Sequence, residues 1–327
     1  MRHSITEETF STLSSYWTDP KQNLNWSSVF ILPAWLKAWW QEFGTAADLY
    51  LRAINQDGEI IGIAPLMLKN NTAFIIGNTE VCDYLDFIIT PGMEVDFFSI
   101  LLDDLRKQGI TCLDLNSLRP DSTVFSHLTG VAKERDCDIV SQQSDVSSEL
   151  ELPSTWDEYL ALLNKKQRHE LRRKLRRLSE TNSINYRYVG VNKDNVKDFT
   201  DTFLKLFLLS REDKADFMTE KMESFFRSIT LAMAEIGILE FGILELDSVA
   251  TAMIMGFDYN NSVYLYNSAY DPEYDFLSVG LLCKVFGIKD SIEKGKRIFD
   301  FLKGDEIYKH HLGGKQVPLY RCQINIK

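Results

Sequence analysis

The sequence predicts an α/β protein built from two tandem copies of one unit, and three observations carry that expectation. A Gly-x-x-x-Φ-Asp-Φ segment (Φ apolar) at Gly109–Leu115 returns at Gly295–Phe301, 186 residues on. Two short apolar runs joined at Asp57-Gly58, within Leu49–Leu68, return at Ile238–Phe257 around Asp247-Ser248, offset by 190. Between hairpin and Asp-centred strand each half carries another extended stretch and then an apolar-periodic helix, so the order of elements is kept. A chain of 327 residues has room for about two cores. The expected division is an N-terminal domain over 1–150, basic connecting helices over 151–183, and a C-terminal domain over 184–327.

The elements follow in chain order from their residues. Residues 1–30 read as an irregular lead-in, and Pro33 opens a helix that Gly44 ends, proline being suited to a first helical turn. Leu49–Ile54 and Ile60–Leu68 alternate as a hairpin around Asp57-Gly58. Ala73–Gly77 and Val81–Ile89 read as strands closed by Pro91-Gly92. Phe97, Phe98, Leu101, Leu102 and Leu105 give Val95–Gln108 a helical period. Thr111–Leu115 is a strand, and Ile139–Gln142 a short one closing the domain.

Pro153-Ser154 starts a helical stretch through Trp156, Tyr159, Leu160 and Leu163. The basic segment continues as helix, with Leu171, Leu175 and Leu178 on one face and arginines over the rest. Strand Ile184–Val191, helix Val196–Leu209 and helix Glu220–Gly237 follow, Gly237 serving as a stop. The second hairpin over 238–257 leads to strand Ser262–Ser268, helix Ser278–Lys294 and strand Arg297–Leu302. A last strand, Pro318–Ile326, alternates Tyr320, Cys322, Ile324 and Ile326 with polar residues.

Composition narrows the function classes. Apolar content of 45% and charged content of 25% are those of a globular protein, and no run of about 18 apolar residues reads as a membrane span. The polar N-terminus lacks the apolar core of a signal peptide, so a cytoplasmic location is expected. Cys82, Cys112, Cys137, Cys283 and Cys322 are scattered and odd in number, which implies neither a disulfide framework nor a metal site. No H-E-x-x-H spacing occurs among the five histidines, and no metal is expected. The net charge of -11 is uneven. Residues 164–180 hold 8 Lys/Arg against 2 Glu, leaving 28 basic and 45 acidic residues elsewhere. So basic a segment is expected to face an acidic surface of the same protein, a phosphate-bearing ligand, RNA or lipid headgroups.

Several segments together resemble one family. They are Pro33-Ala-Trp35-Leu-x-x-Trp39, Gly58-x-x-x-Gly62-x-Ala64-Pro65-Leu66, Asp83-Tyr84-x-Asp86, Lys166-x-Arg168-x-x-x-Arg172 and Arg211-x-x-Lys214. Further on come Tyr266-x-Ser268-Ala269-Tyr270, Ser278-x-Gly280 and Phe299-Asp300-Phe301-x-x-Gly304-Asp305-x-x-Tyr308-Lys309. In this order they are similar to the CelD/BcsL-type, FemAB-like acetyltransferases, which carry two GNAT-like domains in tandem. The resemblance implies tandem GNAT-like domains, each a mixed, mostly antiparallel sheet flanked by helices, with catalysis in the second. It also implies acyl transfer from acetyl-CoA or another acyl-CoA to an amine or sugar, often in cell-wall or exopolysaccharide metabolism. In the Fem branch the donor is an aminoacyl-tRNA.

Residue types point the same way. A helix N-terminus presents unpaired N–H groups and partial positive charge, a seat for a donor's diphosphate, so Ser278, Val279, Gly280 and Leu281 are expected to bind the donor. The family pattern Gln/Arg-x-x-Gly-x-Gly/Ala is changed here to Asp275-x-x-Ser278-x-Gly280. The resemblance further implies that strand residues Tyr266, Asn267 and Ser268 lie along the donor arm. Asp300, Lys303, Glu306 and Tyr308 cluster around the end of a central strand, and such a group suits amine acylation. The acceptor must lose a proton, which a carboxylate or His can take; a Tyr can return one to the thiolate, and Lys can hold an anionic substrate. Asp114 occupies the place of Asp300 in the first copy, which favours a shared structural hydrogen bond for this aspartate. Arg211, Lys214, Tyr270, Asp83 and Asp86 are expected on the acceptor side.

The basic helix over 165–177 is either a solvated face docked by its leucines or a surface for CoA phosphates, tRNA or an anionic membrane; DNA is not expected. A non-catalytic GNAT-like binding module is the alternative that the altered Ser278-x-Gly280 turn favours.

Overall fold

The computed structural model describes residues 2–181, 183–210 and 217–326. The chain divides into two compact units, Met1–Val146 with Val317–Lys327, and Ser147–Gln316. Both are mixed, mostly antiparallel sheets flanked by helices.

Unit 1 contains β1 (His3–Glu7), α1 (Phe10–Thr18), α2 (Pro33–Phe43), β2 (Asp48–Gln56), β3 (Glu59–Lys69), β4 (Thr72–Ile75) and β5 (Ile88–Ile89). It continues through α3 (Glu94–Lys107), β6 (Cys112–Leu118) and α4 (Thr129–Glu134). Strand β7 (Asp138–Glu151) then carries the chain across the boundary. Unit 2 contains α5 (Trp156–Leu162), α6 (Lys165–Ser179), β8 (Ile184–Gly190), α7 (Val196–Ser210), α8 (Glu220–Glu235), β9 (Leu239–Leu246), β10 (Val249–Tyr259) and β11 (Ser262–Tyr270). It ends with α9 (Val279–Glu293), β12 (Ile298–Lys303) and α10 (Ile307–His311), and β13 (Lys315–Asn325) returns the chain to unit 1.

The duplication is visible in strand order: β1-β2-β3-β4-β6-β13 in unit 1 and β8-β9-β10-β11-β12-β7 in unit 2. Each sheet therefore ends on the strand that connects it to the other half of the chain. The C-terminal residues, expected in the second domain, belong to unit 1 because Cys322, Gln323, Ile324 and Asn325 pair with Leu115, Asp114, Leu113 and Cys112 of β6. The basic segment, expected as a connector, belongs to unit 2, docked by Leu171 and Leu178, both buried, with Leu175 packed beside them.

Local chemistry accounts for the boundaries. Asp57-Gly58, Asp247-Ser248 and Asn260-Asn261 all have both residues at positive φ, the two-residue turn whose twist matches flanking strands. Asn164 caps α6 through the Gln167 amide at 2.9 Å, and Gln167 returns a bond at 3.0 Å. The lead-in is not irregular: β1 pairs with β2 from His3↔Gln56 to Glu7↔Arg52, and Thr9 caps α1. Val81–Ile89, expected as one strand, keeps strand geometry only at Ile88–Ile89. Its earlier part is a loop held by the Leu85 amide on the Ser117 carbonyl at 3.0 Å.

Candidate functional site: a strand fork in unit 2

Strands β11 and β12 run parallel and pair at Ser262↔Ile298, Val263↔Phe299 and Tyr264↔Asp300, and no further. Beyond Tyr264 the two strands separate and open a fork. Two irregularities mark it. The β10–β11 register slips between Met255 and Gly256, leaving Tyr266 as an extra residue on β11. The β12–β7 register slips between Asp300 and Lys303, where Leu302 sits at φ 60°. Asp300 is 2% exposed, and its carboxylate accepts the Leu302 amide at 2.7 Å. This aspartate fastens the bulge, whereas the carboxylate of its repeat partner Asp114 accepts from Arg321 and Gln323, so the two do not share one hydrogen bond.

Helix α9 begins where β11 ends. Ser278 stands at its N-cap at φ 57° with no side-chain cap bond, and the Leu281 and Leu282 amides both return to the Ser278 carbonyl. The Val279 and Gly280 amides have no backbone acceptor among the described residues. The Ser278 hydroxyl instead receives the Lys174 ammonium of α6 at 2.6 Å, and Arg177 donates to the Phe276 carbonyl at 2.9 Å. Two cations from the basic helix thus lie against the positive pole of α9, an arrangement that favours an anion between them. Gly280 has a second reason to be glycine, because a Cβ there would lie 2.8 Å from Cδ1 of the Tyr270 ring. Alongside the turn is a cavity of about 230 Å³, bounded by Lys166, Gln167, Lys174, Leu281 and His311. Glu306 does not line it; the cavity runs toward the end of α10.

One turn further along α9 lies a group that sequence reasoning missed. Lys284 is 7% exposed, its ammonium donates to the Gly280 carbonyl at 3.0 Å, and it stands 4.8 Å from the centre of the Tyr308 ring on α10. Burial pushes the Lys284 ammonium down to about 8, with Cys283 and Glu306 pulling it back up and Lys309 pressing it down. The Tyr308 hydroxyl moves the other way, raised by burial and then by Glu306. Lys309, 1% exposed, donates to the carbonyls of Leu302, Lys303 and Gly304 at 3.0, 2.6 and 3.2 Å and pairs with Glu306 at 2.8 Å. It ties the end of β12 to α10. Lys284 was hidden because a single lysine in an apolar helix carries no motif; its spacing of four from Gly280 was the available signal.

The remaining expected residues separate into groups. Glu306 and Tyr308 come together with Lys284 around α10. Lys303 ends β12, and Asn267 accepts the Ser268 amide at 2.9 Å. The Tyr266 ring packs against Phe226 and Phe257, with centroids at 5.8 and 5.3 Å, so its backbone and not its ring borders the fork. Tyr270 lies over Gly280, while Val279 is fully buried. Asp83 and Asp86 are in unit 1. Asp83 is buried, and Asp86 accepts the Thr123 amide at 2.9 Å and the Thr123 hydroxyl. Burial raises its carboxyl to about 6 against those bonds. Arg211 and Lys214 lie outside the described residues. Among the described residues no cluster of three or more His, Cys, Asp or Glu could hold a metal, and no helix is long and apolar enough to cross a membrane.

Comparisons with known proteins agree with this geometry. Residues 165–310 match the family described as Acetyltransferase (GNAT) domain. The fold is similar to FemX, at 13% identity over 97% of this chain and 96% of that one, with a TM-score of 0.63. It is similar to a conserved protein of unknown function from Bacteroides thetaiotaomicron, at 12% identity, 98% and 99% coverage and a TM-score of 0.61. It is also similar to L-PGS from Bacillus licheniformis, at 8% identity, 89% and 90% coverage and a TM-score of 0.52. Comparison with curated proteins gives no match. The match to the GNAT domain model thus falls within the forked unit, and the fold of the chain is similar to that of FemX.

Proposed function

We propose that unit 2 transfers an acyl group from a CoA thioester to an amine, or to a sugar hydroxyl. The observation that carries this reading is the fork beyond Tyr264 and Asp300, which opens beside a helix start with two unpaired amides and Lys174. The donor arm would pair with β11 along Asn267 and Ser268, and its diphosphate would sit at Ser278, Val279 and Gly280. For an amine acceptor, the nitrogen loses its proton to Lys284, whose neutral form is accessible near about 8. The amine then attacks the carbonyl, the C–N bond forms, the C–S bond breaks, and Tyr308 returns a proton to the thiolate. Glu306 sets the field at both groups, and Lys303 would hold an anionic acceptor group.

Calorimetric titration with acetyl-CoA tests this. Binding that disappears in Gly280→Trp supports the reading, whereas no binding to the folded wild type by acetyl-CoA or longer acyl-CoAs overturns it. A second reading, transfer from an aminoacyl-tRNA, is favoured by α6, where Lys165, Lys166 and Arg172 have no ion partner among the described residues. It predicts salt-sensitive tRNA binding that weakens when these cations are neutralised. A location in the cytoplasm and a role in polysaccharide or cell-wall metabolism belong to the same proposal.

A further inference from the structure

The fork of unit 2 has a counterpart in unit 1. Strands β4 and β6 run parallel and pair only at Thr72↔Cys112 and Ala73↔Leu113. These pairs stand at the same offsets, 190 and 186, from Ser262↔Ile298 and Val263↔Phe299. Strand β6 also carries a register slip near its end, with Ser117 at φ 55° as Leu302 is at φ 60° in β12. A cavity of about 250 Å³ opens at this fork, lined by Met67, Phe74, Asn78, Leu85, Asp114 and Asn116.

The lining differs in chemistry from the fork of unit 2. Asp114, 7% exposed, spends its charge within the protein: Arg321 grips both carboxylate oxygens, Nε at 2.7 Å, and Gln323 donates at 3.2 Å. Asn116 reaches Asp114 with its amide nitrogen at 3.5 Å, and its carbonyl oxygen has no partner among the described residues. Asn78 accepts the Val81 amide at 3.2 Å with its oxygen, and its amide nitrogen has no partner among the described residues. One unengaged acceptor and one unengaged donor therefore border the space, beside the apolar surfaces of Met67, Phe74 and Leu85. An anion has no seat here. The helix that follows this fork, α3, opens with Glu94 and Asp96, and the Gly92 amide before it is taken by Glu94 at 2.9 Å.

We propose that unit 1 holds a second ligand pocket at this fork, built for an uncharged ring bearing hydroxyl or amide groups, of monosaccharide size. The neutralised Asp114–Arg321 pair gives the floor a fixed dipole, the two asparagines supply direction, and Phe74 offers a face to the C–H side of a sugar ring. The inference concerns binding alone and stands whether or not unit 2 transfers an acyl group.

Saturation-transfer NMR on the full chain with glucose, N-acetylglucosamine and glucose 6-phosphate tests it. Transfer to at least one of the two uncharged sugars is expected, with affinity falling about tenfold in Asn116→Leu, the value of one lost hydrogen bond. Asn116→Ser, which adds no bulk, should weaken binding in the same direction, and Gly280→Trp should leave it unchanged. The proposal is overturned if neither uncharged sugar receives saturation, if glucose 6-phosphate binds more tightly than glucose, or if binding persists unaltered in both Asn116 variants.

Discussion

Replacing Lys284 by methionine separates a catalytic residue from a structural one. The ammonium's ordinary value of 10.5 falls to about 8 in the folded chain. At about 1.4 kcal/mol per unit, keeping that cation buried costs the folded state about 3 kcal/mol at pH 7. Methionine fills a similar volume without charge, and it loses the bond to the Gly280 carbonyl, worth about 1 kcal/mol. Lys284→Met is therefore expected to be more stable than wild type by about 2 kcal/mol at pH 7, read from urea unfolding. The sign with pH follows from the direction of the shift. Between about 8 and 10.5 the unfolded chain holds the proton and the folded chain does not, so wild-type stability rises with pH across that window. The advantage of the variant should vanish above 10.5. Acyl transfer should fall in the variant at every pH, and wild-type transfer should decline as pH drops below about 8. A variant less stable than wild type at pH 7, with unfolding independent of pH over the window, would refute the reasoning.

Three other outcomes are expected. Asp300→Ala should cost about 2 kcal/mol in unfolding experiments by leaving the buried Leu302 amide without its acceptor; unchanged stability with lost transfer would instead make it a reacting group. Tyr188→Phe should leave stability unchanged or raise it by up to about 1 kcal/mol, since the buried Tyr188 hydroxyl has no hydrogen-bond partner among the described residues; a clear loss by thermal unfolding would contradict this. Lys174→Met should weaken acetyl-CoA binding by about tenfold in calorimetry with little change in thermal midpoint, as expected for one charge-assisted contact; equal affinity would remove α6 from the donor site.

Much of the architecture was legible because it is periodic and repeated. The two hairpins announce themselves through Asp57-Gly58 and Asp247-Ser248, and the Asp114 and Asp300 strands fix the parallel pairs on which both forks depend. Strand β1 was not legible: its five residues are short and polar, and only pairing with β2 makes them a strand. The exchange of terminal strands was hidden for a related reason, since alternation in Pro318–Ile326 reports a half-buried strand and not which sheet receives it. At the site, Ser278, Gly280, Glu306 and Tyr308 were readable from helix-start chemistry and from the residues after Phe301. What Lys284, Lys309 and Asp300 do depends on burial and on which carbonyls or amides they meet, and no spacing in the sequence encodes that.

Hydrogen exchange at single amides tests the central assignment most directly. With saturating acetyl-CoA, the Val279 and Gly280 amides should exchange markedly more slowly than in the free protein. Donor binding that leaves exchange at these positions unaltered would contradict it.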